Sequence, residues 1–253
     1  MKKTLIAVSF GTSVPAAQES IRAVERVLAQ EAAGWQFCRA WTSPTIRHIL
    51  AGRGEQVESL EETLDRLAAE GTEEILVQPT HFLYGIEYDR IRAAVEASRD
   101  RFKKITLGKP LLAGTEDLRV LADYVVKEAL PEDGALVLMG HGTEHFVNLV
   151  YPAFQTVLHL AGAPNAFVGT VDGWPTIENV LEQLQAGGYK KVLLAPMMLV
   201  AGDHACNDMA GDEPDSWKSI LEAAGIEVHC RLRGLGDVPG VQELYRRHLK
   251  EML

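Results

Sequence analysis

The sequence predicts an α/β protein of two similar lobes, each a parallel sheet flanked by helices, and three observations predict it. Short apolar runs alternate with segments of helical periodicity along the chain. Motifs of the first half recur in the second in the same order. A polar stretch bearing Pro and Gly, LPEDG at 130–134, falls between the two copies.

The strand-like runs, in order, are TLIAVSF, WQFCRAW, EILVQP and KITLG, then ALVLMG, NAFVGTV, KVLLAP and EVHCRL. Between most of them lie 3.6-periodic segments such as AAQESIRAVERVLAQEAA, VESLEETLDRLAAEG and TIENVLEQLQAGG, which read as helices. Strand and helix in alternation imply parallel sheets covered on both faces. The first run follows two lysines and so imitates a secretory signal. Its apolar part, Leu5 to Phe10 with Ser9 inside, is short for such a segment, and a strand is expected.

The repeat is specific. VSFGT, within VSFGTS, aligns with MGHGT, within LMGHGT, which pairs Phe10 with His141 at an offset of 131; PTI at 44–46 recurs at 175–177 with the same offset. EEILVQPTHFLYGIEYD aligns with KKVLLAPMMLVAGDHAC at an offset of 117, pairing Pro79 with Pro196, Gly85 with Gly202 and Glu87 with His204. Two lobes follow, 1–130 and 131–253, related by internal duplication, with an active-site cleft expected between them.

Composition bounds the chemistry. The 253 residues carry a net charge of −10, so there is no basic surface for a phosphate backbone and nucleic acid is not expected as a partner. No apolar run approaches the roughly 20 residues of a membrane span. Three widely spaced cysteines, Cys38, Cys206 and Cys230, fit reduced thiols in a cytoplasmic protein. Neither a Walker loop nor GxGxxG occurs, so no nucleotide cofactor is expected, and the lack of GxSxG weakens a hydrolase reading.

Ligands of open parallel sheets bind beyond the carboxyl ends of the strands. His141 follows the first strand of the second lobe, His204 its third, and Glu87 the third strand of the first lobe. Two imidazoles and a carboxylate suit a borderline divalent ion such as cobalt, iron, nickel or zinc. They are too few for a closed structural site, which uses four ligands. His145, His81 and Cys206 are local rivals: His145 at the start of the following helix, His81 in the loop after EILVQP with a structural role equally open, and Cys206 as a buried thiol if 205–209 is helical. Asp203 and Asp208 are candidates to orient His204 or cap the next turn. His48, His159, His229 and His248 lie within helix or strand patterns and receive no chemistry.

VSFGTS, GIEYDRI at 85–91, VLMGHGTEH at 137–145 and PMMLVAGDHACNDMAGDEPDSWK at 196–218 closely resemble the anaerobic cobalt chelatases of cobalamin biosynthesis, the CbiK type, within the class II chelatases. The resemblance implies a two-lobed α/β fold and insertion, without ATP, of Co2+ into sirohydrochlorin or its oxidised precursor form. Fe2+ insertion toward sirohaem is an implied side activity. It places the family's two metal-binding histidines on His141 and His204 and its active-site glutamate on Glu87. The chain departs from the family pattern around HFLYGIEY and EHFVNLV, which touches substrate contacts and metal preference.

A carboxylate-rich tetrapyrrole meets long-range repulsion from an acidic protein. Arg47, Arg90, Arg92 and Lys109, near expected strand ends, are candidates to offset it, with a solvated helix face as the plainer role of each. The rival function is a non-catalytic metallochaperone or tetrapyrrole carrier using the same cleft. A periplasmic-type sugar or amino-acid binding protein would require export and gives His141 and His204 no role. The apolar segment YPAFQTVLHLAG at 151–162 is compatible with a homo-oligomer and equally with a buried core helix.

Overall fold

In the computed structural model, which describes residues 2–253, the elements follow one another as β1 (Lys3–Ser9), α1 (Gln18–Glu31), β2 (Gln36–Trp41), α2 (Pro44–Gly52), α3 (Leu60–Ala69), β3 (Glu74–Pro79), α4 (Ile86–Ala97), β4 (Lys104–Leu107), α5 (Thr115–Tyr124), β5 (Ala135–Gly140), α6 (Val150–Leu160), β6 (Ala166–Thr170), α7 (Ile177–Ala186), β7 (Lys191–Pro196), α8 (Trp217–Ala223), β8 (Glu227–Cys230) and α9 (Pro239–Lys250). All eight expected strands are present. They form two four-stranded parallel sheets, ordered β2-β1-β3-β4 and β6-β5-β7-β8.

The two orders are the same once the numbering is shifted by four, as duplication requires. Register repeats too: Val8 on β1 faces Ala40 and Pro79, and Met139 on β5 faces Gly169 and Pro196. The central strands β1 and β5 are buried along nearly their whole length, which is why they read as unbroken apolar runs. The edge strand β8, EVHC, alternates exposed and half-buried positions, as one covered face demands.

In the first unit, Ile6, Val8, Leu64, Val77 and Ile91 form one core cluster. Helix starts are specified locally. Ser43 accepts a hydrogen bond from the Ile46 N–H with Pro44 as the first helical residue, and Ser59 and Glu62 form a reciprocal capping box at α3. In the second unit, Val137, Met139, Leu194 and Trp217 belong to one core cluster. Tyr151, Phe154 and Leu158 of α6, which packs on β6, are buried, so the apolar pattern at 151–162 serves the core.

The lobe boundary at 130/131 is corrected by the structure. The first unit runs to Ala113 and takes in Gly236–Leu253; the second is Gly114–Leu235. Helix α9 packs on α1 and buries Val241, Leu244, Tyr245 and Leu249 in the first unit, where the Tyr245 hydroxyl donates to the Thr80 carbonyl at 2.6 Å. Helix α5 packs on α6 and belongs to the second. LPEDG is therefore an ordinary helix-to-strand connection inside the second unit, whose Pro and Gly are the same punctuation a linker would use.

Candidate metal centre

His141 and Asp172 sit on adjacent loops. His141 follows β5 and Asp172 follows β6, and the two strands pair in parallel, so both loops leave the sheet at its carboxyl edge. The Val171 N–H donates to the Gly140 carbonyl at 3.1 Å and the Asp172 N–H to the His141 carbonyl at 2.7 Å, extending the ladder past the strand ends. Gly142 permits the closeness. At φ +86 it has the left-handed backbone that glycine adopts without strain, and a Cβ there would lie 2.7 Å from the Gly173 nitrogen and 2.8 Å from the Asp172 carbonyl carbon.

His204 reaches the same place from the loop after β7. It precedes a π-helical turn, Ala205–Met209, that is anchored by the buried Ala205 and Met209. The His141 and His204 rings meet edge to face with centroids 4.6 Å apart. One donor atom each from His141, Asp172 and His204 lies within 4.8 Å of the others.

The hydrogen bonds around the rings decide which nitrogens are free. His204 Nδ1 bonds Asp208 Oδ2, and a carboxylate only accepts, so Nδ1 carries the proton and Nε2 presents its lone pair. His141 Nδ1 lies 3.1 Å from the Gly142 carbonyl and 3.6 Å from Asp172 Oδ2, so the same reasoning leaves its Nε2 free. Asp208 thus orients His204, as the sequence suggested. Asp203 instead accepts from Asn207 Nδ2 at 2.9 Å. All three donor side chains are between a third and three-fifths exposed. A three-donor, solvent-facing set of N and O atoms leaves coordination positions open, unlike a closed structural site.

Glu87 belongs to the first unit, in the first turn of α4 after Gly85, where the helix N-terminus favours a carboxylate. It is ion-paired to Arg90 one turn on. His81, in the loop after β3, has an enclosed Nδ1 with no hydrogen-bond partner, and its Nε2 is 3.5 Å from Thr42 Oγ1. Burial lowers its pKa to about 4, with the nearby Glu87 charge acting in the opposite direction, so His81 is neutral at neutral pH.

The other rivals take structural parts. His145 Nδ1 accepts from the Val147 N–H at 3.1 Å and so shapes its loop, and His159 Nε2 donates to the Ala166 carbonyl at 2.9 Å. Cys206 is a half-buried thiol on the π-helical turn. Arg47, Arg92 and Lys109 are each paired to an acid, Glu62, Asp89 and Glu251 respectively.

The profile of the cobalt chelatase (CbiK) family matches residues 3–253. The chain belongs to this family. It is 37% identical over 257 residues to the sirohydrochlorin cobaltochelatase of Salmonella typhimurium, covering 100% of this chain and 97% of that one. It is 34% identical over 254 residues to the sirohydrochlorin cobaltochelatase CbiKC of Nitratidesulfovibrio vulgaris, covering 98% and 89%. Among solved structures, SirB from Bacillus subtilis with Fe3+ has the same fold, with a TM-score of 0.69 at 17% identity over 99% of this chain and 95% of that one. The sirohydrochlorin chelatase SirB of Bacillus subtilis subspecies spizizenii, in complex with cobalt, gives 0.65 at 17% identity, with coverages of 99% and 95%.

Within this CbiK-family chain, the sequence reading named His141, His204 and Glu87 and missed Asp172. The signal was available: the Asp is the second residue of the VDGWP loop after β6, beside the strand that His141 follows. It has no counterpart in the repeat, because the position 131 residues earlier is Trp41, which is buried.

Proposed function

We propose that this chain inserts Co2+ into sirohydrochlorin, or its oxidised precursor form, without a nucleotide, and accepts Fe2+ as a second metal. The observation that carries the reading is the convergence of His141, His204 and Asp172 at the carboxyl edge of one sheet, in a chain whose full length resembles sirohydrochlorin cobaltochelatases. The metal is a substrate, so an open site with few ligands is what the task needs.

The reaction exchanges one divalent ion for two protons. The hydrated ion sheds water as the His141 and His204 Nε2 atoms and the Asp172 carboxylate take up its coordination positions. The free-base macrocycle then gives up two pyrrole N–H protons and forms four metal–nitrogen bonds. Those four bonds outcompete three protein donors and release the product, and no oxidation state changes. Glu87 is the proposed acceptor for a pyrrole proton or a further ligand. Its ion pair with Arg90 is solvent-exposed on the arginine side, of the kind worth about 0–1 kcal/mol, and so a weak obstacle to either role.

An anaerobic absorbance assay with purified protein, sirohydrochlorin and Co2+ tests the reading. The native chain is expected to accelerate conversion of the free-base spectrum to the cobalt form, and His141→Ala and His204→Ala to lose most of that acceleration. A native rate equal to background would sink the enzyme, and tight pigment binding without turnover would then identify a carrier.

A further inference from the structure

Three large apolar side chains stand in solvent around one cavity beside the metal donors. Phe146 is 82% exposed, Trp174 55% and Leu149 50%. Together with Thr143, His145 and Asp172 they border an open cavity of about 420 Å³ in the second unit. Single exposed hydrophobics are ordinary, but a contiguous apolar wall with a polar rim marks a surface that something covers.

The wall is fixed in place. Asn148 Oδ1 accepts from the Thr143 N–H at 3.1 Å, and its Nδ2 donates to the Trp174 carbonyl at 2.6 Å. One amide side chain thereby joins the loop that carries His141 to the loop that carries Asp172. Thr143 Oγ1 accepts from the His145 N–H at 3.1 Å, and the His145 ring supports the turn at Phe146–Leu149. An apolar platform on loops held this way keeps its backbone in place and so lowers the ordering cost at binding.

Its place selects the occupant. Trp174 is two residues beyond Asp172, so their Cα atoms are at most about 7 Å apart. A tetrapyrrole is wider than that span. A macrocycle whose inner nitrogens approach a metal held by Asp172 must extend past the loop on which Trp174 stands. We infer that Trp174 and Phe146, braced by Asn148, form the seat for the apolar face of the tetrapyrrole and set its affinity without touching the metal. This rests on the chelatase reading for the identity of the ligand, and the experiment separates the two.

Metal-free sirohydrochlorin is titrated, with a chelator present, into the native chain and into Trp174→Ala, Phe146→Ala and Trp174→Phe, and Co2+ binding is titrated separately. The native fluorescence should be quenched by pigment, and the alanine variants should bind pigment about tenfold more weakly. Trp174→Phe should recover most of the affinity, and Co2+ affinity should be unchanged throughout. In turnover, the loss should fall on the KM for the tetrapyrrole and leave kcat and the KM for Co2+ in place. Leu160→Ala, which truncates an equally prominent residue outside this cavity, should match the native chain. Unchanged pigment affinity in Trp174→Ala and Phe146→Ala would overturn the seat, as would a loss of Co2+ binding in step with it. Altered oligomeric state with unchanged pigment affinity would also overturn it and assign the wall to a second copy of the chain. Absence of native turnover with Trp174-dependent pigment binding would instead remove the chelatase and keep the seat.

Discussion

The backbone N–H of Asp172 donates to the carbonyl of His141 across 2.7 Å, so two of the proposed metal donors, from different loops, share one hydrogen bond. Gly142 makes room for it. Gly142→Ala places an L residue at φ +86, which costs about 1–2 kcal/mol, and drives a methyl into the Asp172–Gly173 backbone. The expected outcome is a folded protein with a modestly lower Tm and a large loss of Co2+ affinity. Thermal unfolding and metal titration on the same sample check it; metal binding that survives at native strength would show that the tether is not needed.

Asp172→Ala removes the only anionic donor of the cluster and leaves two imidazoles. Metal affinity should fall by roughly a hundredfold or more, beyond the loss typical of a residue that only orients a ligand. Asp172→Asn keeps an oxygen at the same place without the charge, and should fall between the two. Calorimetric titration with Co2+ measures this series. Equal affinity in all three forms would remove Asp172 from the site.

Asp208 acts through His204 by fixing the proton on Nδ1. Asp208→Asn can present its amide nitrogen to that ring, which then favours the wrong tautomer, and should weaken Co2+ binding about tenfold to a hundredfold. The kcat with saturating metal should change less than the KM for metal. The opposite split would assign Asp208 to the chemistry itself.

Much of this was legible because the fold is written in period and repetition. Buried central strands give unbroken apolar runs, and the duplication betrayed itself by pairing Glu87 with His204 and Phe10 with His141 before any sheet order was known. The lobe boundary was not legible, since whether α5 and α9 stay with their sequence neighbours depends on which core receives Leu121 or Tyr245, a tertiary matter that periodicity does not encode. Asp172 escaped for a related reason. A lone Asp after a strand is among the commonest of turn residues, and only strand order places it beside His141. The role of His145 was half visible: its position at the start of a helical turn was expected, and its use as a cap for Val147 was not.

His81 supplies the last expectation, a pH dependence of stability. In the unfolded chain an ordinary histidine takes up its proton near pH 6.5, whereas burial delays uptake in the folded chain until about pH 4. Between those values the unfolded state binds more protons, so this contribution is fully present above pH 6.5 and is lost as the pH falls toward 4. The difference between the two values corresponds to at most about 3 kcal/mol. His81→Leu has no proton to take up, so its unfolding free energy should decline less steeply over that window, whatever its stability at pH 7. Urea unfolding of both proteins at intervals from pH 7 to pH 4 yields the difference directly. Parallel declines would mean that the folded protein protonates His81 as readily as the unfolded chain does.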